Sequence, residues 1–175
     1  ETGLDEDEFD KNCIHCLVFD RITEGKLVLV FRMANFSSMA KITNSYSAQF
    51  YDLQSMCTFS YKPMELGRFC VDPTSKDPFL VMKAMKFLFN YIKKNKRNFL
   101  FGCSSFEGCD PSKHLNSFRY LKSKFATKDD FVIKRKAKEV VTFSSFEQKN
   151  NIRIDEYRKS LPSLLKFYLR IGGRV

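Results

Sequence analysis

Two features that could do chemistry lie side by side in this chain. The apolar run Met64–Val71 carries an acid and a base, Glu65 and Arg68, and is broken at Asp72-Pro73. Beyond the break, Asp77 is a capping residue type and Pro78 suits the first position of a helix, so a helix is expected over Pro78–Lys94. The free N–H groups around Thr74, Ser75, Lys76, Asp77 and Phe79 would then form an anion-binding helix end, a phosphate site one strand away from a charged pair. Because Glu65 and Arg68 are three residues apart, a regular strand would aim them to opposite faces of a sheet. A bulge between them would bring both to one face, either as a substrate site or as an internal salt bridge at a strand bend. A third cluster, Asp5, Glu6, Asp7 and Asp10, is either a solvated turn or a set of carboxylates that holds an amine.

The elements that must position these groups read as strand, helix, strand, helix. Cys13–Phe19 and Lys26–Phe31 are β-rich runs separated by a polar stretch ending in Glu24-Gly25, the pattern of a hairpin. From Arg32 to Tyr61 the periodicity fades into a long functional loop with a short helix near Ala48–Leu53. Met64–Val71 is a buried strand, and the helix after it keeps Lys83, Lys86, Lys93 and Lys94 off a broad apolar face. Asn98–Ser104 is a second buried strand, and Asp110-Pro111 opens a helix that runs to about Phe125. That order implies a right-handed parallel crossover. Glu139–Phe143 is strand-like, and Leu161–Ile171 is a last apolar helix.

Composition narrows the class. The 175 residues are 43% apolar with 19 Phe, enough for one good core and a single domain. Thirty Lys and Arg against 20 Asp and Glu leave +10, which favours a polyanionic partner: nucleic acid, anionic membrane or a phosphate-bearing acidic carrier. The basic runs Lys93–Arg97 and Lys134–Lys138 carry no nucleic-acid motif and read as solvated faces, so no nucleic-acid partner is expected. Cys13-Ile14-His15-Cys16 is half of a zinc pattern without its second half, so no metal is expected. The six cysteines sit inside apolar runs and read as core filler in a reducing cytoplasm. The acidic opening does not read as a signal peptide, so none is expected, and no apolar run approaches the ~18 residues of a membrane span. The lack of an initiator Met and the end at Gly172-Gly173-Arg174-Val175 suggest a chain cut at one or both ends.

Several segments are specific enough to point to a family. Glu65-Leu66-Gly67-Arg68-Phe69-Cys70-Val71 resembles the E-L-S-R-x-x-V strand shared by acyl-homoserine-lactone synthases and bacterial ornithine N-alpha-acyltransferases, two branches of the GNAT-like acyltransferases. Gly102-Cys103-Ser104-Ser105-Phe106-Glu107-Gly108-Cys109-Asp110-Pro111 resembles the second branch's G-C-A-S-F-x-G-T-D-P block, and the segment from Leu161 to Gly172 resembles its L-P-P-L-I-K-G-Y-L-R-L-G. Glu1-Thr2-Gly3 through Asp10 is similar to its T-G-x-D-x-D-x-F-D entry, and Ser45–Leu53 to its Y-S-A-S-E-F-D-L stretch. The resemblance spans nearly the whole chain. The chain departs from it at Gly67, where relatives have Ser, and at Ser75-Lys76-Asp77-Pro78.

The resemblance implies an α/β, GNAT-like fold with a mixed central sheet flanked by helices, incomplete at both ends. It implies transfer of a 3-hydroxyacyl group from the thioester of acyl carrier protein to the α-amine of L-ornithine, giving lyso-ornithine lipid, with no bound cofactor. The alternatives are an acyl-homoserine-lactone synthase or a non-enzymatic basic binding module. Under this reading Glu65 is the base or grips the substrate ammonium, and Arg68 orients Glu65 or holds the ornithine carboxylate. Arg32, Asp7 and Asp10 bind substrate. Thr74, Ser75, Lys76, Asp77 and Phe79 take the phosphopantetheine phosphate where the strands Met64–Val71 and Asn98–Ser104 splay. The positive charge docks the acidic carrier and rests on an anionic membrane surface, placing a cytoplasmic protein at the inner face of the membrane.

Overall fold

A computed structural model describes residues 3, 5–22, 25–127, 133–142 and 161–175. They fall into two compact units, Glu1–Cys103 and Ser104–Val175.

The first unit is built on a four-stranded sheet in the order β1-β2-β4-β5. Strand β1 (Ile14–Asp20) pairs antiparallel with β2 (Lys26–Asn35). Gly25 closes the hairpin at φ +80, a left-handed conformation that glycine adopts without steric penalty; Glu24, beside it, lies outside the described residues. The sequence ends β2 at Phe31, but the strand continues through Arg32, Met33, Ala34 and Asn35. Arg32 breaks the apolar pattern and still belongs to the strand, because ion pairs satisfy its buried guanidinium.

Between β2 and the next long strand the chain forms 3-10 turns at Met39–Asn44, Ser47–Gln49 and Gln54–Thr58, with a two-residue strand, β3 (Tyr51–Asp52). The expected short helix near Ala48–Leu53 is therefore a 3-10 turn followed by extended chain. Strand β4 (Pro63–Val71) pairs antiparallel with β2 and, through helix α1 (Leu80–Lys94), parallel with β5 (Phe99–Phe101). Odd-numbered residues of β2 face α1: Phe31 lies 6.5 Å from the Phe87 ring, and Asn35 Nδ2 donates to the Tyr91 hydroxyl at 2.7 Å. Leu29, Phe31, Met33, Met64, Leu80, Met85 and Leu88 make this side of the sheet a buried core. The even-numbered positions, Arg32 among them, face the other way.

α1 begins two residues later than its sequence suggests. Asp77 Oδ1 accepts the Phe79 N–H at 2.9 Å in a local turn, and Phe79, at φ −100 and ψ 2, serves as the helix's first flanking residue.

In the second unit Asp110 accepts the Ser112 N–H at 3.0 Å ahead of a 3-10 turn, Pro111–His114, and α2 follows (Leu115–Phe125). Leu121, Leu161, Leu165 and Leu169 form its core with Phe106, Phe118, Tyr120 and Phe125, the last three leucines belonging to or preceding α3 (Ser163–Arg170). Glu139–Thr142 form no strand, and Phe143, the end of that expected strand, lies outside the described residues; Lys134–Arg135 make a two-residue strand instead. No described helix is long and apolar enough to cross a membrane. All six cysteines are free, and Cys70, Cys103 and Cys109 are exposed, which corrects the reading of these three as core filler.

Candidate active site

The site grows from a fault in the β4 ladder. Arg32 pairs with Gly67 and Val30 with Cys70, so two residues of β4, Arg68 and Phe69, oppose the single Phe31. Such a bulge adds one residue and re-aims the side chains around it. Phe69 stacks on Phe31 at 5.4 Å, on the α1 side, while Arg68 takes the left-handed φ of 48 and turns its guanidinium to the side of Arg32. A non-glycine residue in that conformation costs about 1–2 kcal/mol, which the ion pairs of Arg68 offset.

Arg32 is 4% exposed. Its Nη1 donates to Asp7 Oδ1 at 2.6 Å and to Asp10 Oδ1 at 2.5 Å, and its guanidinium carbon lies 5.5 Å from the centre of the Tyr46 ring. Asp7 bridges the two arginines, because its Oδ2 accepts from Arg68 Nη2 at 3.0 Å. Arg68 also pairs with the exposed Asp5. The acidic segment is stitched together by its own amides: Asp7 N–H donates to Asp10 Oδ2 at 2.9 Å and Phe9 N–H to Asp7 Oδ1 at 3.0 Å. Burial pushes the Asp7 carboxyl upward, but hydrogen bonds from Arg32 and Arg68 prevail and hold it at about 2. The bond from the Asp7 amide, with Arg32, lowers Asp10 as well. Asp5 and Asp7 hold Arg68 further above its ordinary range.

Glu65 pairs with Ala34 in the ladder, on the same face as Gly67 and Arg32. It is buried, and its oxygens bind backbone: Oε2 accepts the Tyr46 N–H at 3.0 Å, and Oε1 accepts the Ser47 N–H at 2.7 Å and the Ser47 hydroxyl at 2.5 Å. The Cys103 thiol in turn donates to Ser47 Oγ at 3.4 Å. A carboxylate has about four acceptor positions, so three donors leave one free, on Oε2.

The bulge thus brings Glu65 and Arg68 to one face without bringing them together. Arg68 pairs with Asp5 and Asp7 instead of orienting Glu65, because the bulge aims it at the acidic segment. Asp5, from the acidic cluster, joins the arrangement through Arg68, and Tyr46, Ser47 and Cys103, whose roles sequence reasoning did not single out, complete it. The available signal was the Ser45–Leu53 segment, whose resemblance to a family block fitted no periodic element.

The expected phosphate cradle is differently placed. The amides of Thr74 and Ser75 donate to Asp72 Oδ1 and O, that of Asp77 to Ser75 Oγ, and that of Phe79 to Asp77 Oδ1. Among the five residues, Lys76 alone keeps its amide uncommitted. Lys26 Nζ reaches Asp72 at 2.6 Å and Thr74 Oγ1 at 2.8 Å, and Lys83 Nζ reaches Asp77 at 2.7 Å, so the turn supplies its own counter-charges. The β4–β5 ladder ends at Glu65 and Phe101, and among the described residues β4 has no strand partner on that side from Leu66 onward. A Cβ at Gly102 would lie 2.2 Å from the Leu66 carbonyl oxygen, so only glycine allows the chain to leave the ladder there.

Comparison with known proteins fits this geometry. Residues 1–84 match the acetyltransferase (GNAT) domain. The mixed sheet with its helix crossover is of the α/β class. Over nearly its full length the chain is also similar to proteins named L-ornithine N(alpha)-acyltransferase. It is 28% identical to that of Brucella abortus over 98% of the chain and 63% of the relative. It is 27% identical to that of Rhizobium meliloti, covering 98% and 60%, and 25% identical to that of Rhodobacter capsulatus, covering 100% and 68%. The chain therefore spans about three fifths to two thirds of the length of these relatives. No solved structure gives a significant match.

Proposed function

We propose that this GNAT-like chain is the larger part of an N-acyltransferase that moves a 3-hydroxyacyl group from the thioester of acyl carrier protein to the α-amine of L-ornithine, forming lyso-ornithine lipid. The observation that carries the reading is the β4 bulge, where three carboxylates, Asp5, Asp7 and Asp10, pair with two guanidiniums, Arg32 and Arg68, while a fourth, Glu65, lies on the same face. That excess of negative charge suits a substrate with two ammonium groups and one carboxylate. The similarity to the named relatives supplies the acceptor.

In this reading Arg32 is a positioning residue: buried and paired, it holds Asp7 and Asp10. Arg68, less buried, exchanges Asp5 for the ornithine carboxylate, and Asp5 and Asp10 take the distal ammonium. Glu65 uses its one open acceptor position to receive an N–H of the attacking α-amine. An α-amine, with a reference pKa of about 8, is roughly one tenth in its reactive neutral form at pH 7, whereas a lysine-like amine near 10.4 is less than about a thousandth neutral there. The amine attacks the thioester carbon, the C–S bond breaks, the pantetheine thiolate leaves, and the amine's proton passes to Glu65 or to solvent. The thioester enters beside β4 where β5 has parted from it, and backbone N–H groups at Phe69–Val71 face the developing oxyanion, a contribution of about 3 kcal/mol when well aimed. Lys76, with its free amide, meets the phosphate. The excess positive charge of the chain, +10, docks the acidic carrier and an anionic membrane surface.

Full-length protein supplied with acylated carrier and L-ornithine should release carrier thiol in step with ornithine acylation. Thiol release that is unchanged when ornithine is omitted would overturn the reading.

A further inference from the structure

A cleft of about 500 Å3 opens at the edge where β4 and β5 begin, and it shares no residue with the Glu65 network. That volume lies within the range of small-molecule sites, roughly 300–1,000 Å3. Every polar side chain in its lining can donate, Ser37, Ser38, Ser60, Lys62, Lys96 and Asn98, and none of the lining residues is acidic. Met39, Phe59 and Tyr61 supply an apolar wall, the Phe59, Tyr61 and Phe99 rings stacking in succession at 6.0 and 5.5 Å.

The cleft is held rigidly. Asn98 Oδ1 accepts the Lys62 N–H at 2.6 Å and the Asn98 N–H returns to the Lys62 carbonyl at 3.3 Å, so the Asn98 amide must turn its NH2 away from that bond. Arg97 Nη1 ties the carbonyl of Phe36, just before Ser37, at 2.7 Å. Lys96 adds a distinct clue. The α1 C-terminus closes with the Arg97 N–H on the Ile92 carbonyl at 2.9 Å, and the residue between the last turn and Arg97 is left-handed. Glycine is the usual occupant of that position, yet the chain places Lys96 there at φ 52, where it lines the cleft. A strained lysine lining a concave site that holds no acidic side chain is a feature that stability alone would remove.

We propose that this cleft is a second ligand site, one that binds a phosphate monoester carrying a small apolar or hydroxylated body. Two ammonium groups with surrounding hydroxyls and an amide suit a tetrahedral dianion with three acceptor oxygens. A planar carboxylate would instead favour the forked geometry of arginine. The ester is either a soluble metabolite or the headgroup of a phosphate-terminated lipid.

Calorimetric titration of full-length protein with glycerol 3-phosphate, and flotation with phosphatidylcholine vesicles containing phosphatidic acid, separate these sources. Saturable binding in either assay, weakened about tenfold by Lys62→Ala, is the expected result. Binding in the first assay identifies a soluble ester, and binding only in the second identifies a headgroup. Lys96→Gly should weaken binding to a similar degree while raising the urea midpoint, an opposition that a merely structural lysine would not produce. Lys86→Ala, on exposed α1 surface outside the cleft, should leave affinity unchanged. Absence of binding in both assays, or equal weakening by Lys86→Ala and Lys62→Ala, would overturn the proposal.

Discussion

The charged face of β4 and the turn from Asp72 to Phe79 are made of the same materials, aspartates beside lysine or arginine, and they behave differently. In the turn, each carboxylate is satisfied within a few residues or by an exposed lysine. Asp72 holds Thr74 and Lys26, and Asp77 holds Phe79 and Lys83. On β4, Arg32 reaches 22 to 25 residues back to Asp10 and Asp7, and Arg68 reaches more than 60 residues back to Asp5 and Asp7. The turn closes on itself and leaves few groups for a ligand. The β4 face depends on distant chain and keeps an open acceptor position on Glu65 and, on Arg68, an ion pair to the exposed Asp5. Short-range capping makes a stable loop, and long-range pairing around a bulge makes a site.

The largest effect should come from Glu65→Gln. Losing the carboxylate should slow acyl transfer about a hundredfold or more while affinity for acylated carrier changes little. Equal losses in rate and carrier affinity would place Glu65 among the supports of the Tyr46–Ser47 turn. Arg32→Met comes next, since it leaves Asp7 and Asp10 facing a buried void without their cation. Breaking a buried pair in this way costs about 3 kcal/mol or more, read from urea denaturation, and combining it with Asp7→Asn and Asp10→Asn should restore much of the loss. An uncorrected triple variant would show that packing, not charge, makes Arg32 matter.

A smaller effect tests the same face by pH. Asp7 titrates at about 2 in the folded protein against an ordinary 3.8, so between these values the unfolded chain binds more protons. The stability this group contributes is complete above about pH 4 and disappears as pH falls toward 2. The urea midpoint of the wild-type protein should therefore fall more steeply across that window than that of Asp7→Asn. Parallel pH profiles would remove the Asp7 bridge from the account. The smallest effect belongs to the turn, where Lys83→Ala should leave the urea midpoint unchanged, because solvent screens an exposed pair. A clear loss there would erase the contrast between the two regions.

Much of the architecture was legible in the sequence because local pattern controls it. The hairpin, the apolar run of β4, α1 and α2 follow from periodicity and turn residues, and the odd spacing of Glu65 and Arg68 left two possibilities, opposite faces of a regular strand or one face across a bulge. The errors have two origins, one long-range and one local. β2 runs past Arg32 because a guanidinium paired across space behaves as a buried residue, and α1 starts late because Asp77 captures the Phe79 amide before the helix can. The Tyr46–Ser47 turn under Glu65 carried no periodic signal, since its hydrogen bonds are made to a side chain on another element.

By itself, then, the sequence determined which residue types could assemble a charged site and that they lie on a sheet with a parallel crossover, because strand and helix periods are local properties. Only the tertiary structure decided the pairing. The left-handed bulge at Arg68 turned its guanidinium toward Asp5 and Asp7, while Glu65 was left to the amides of Tyr46 and Ser47. Which charges meet is set by the register between strands and by segments far apart in the chain, and no spacing along β4 encodes it.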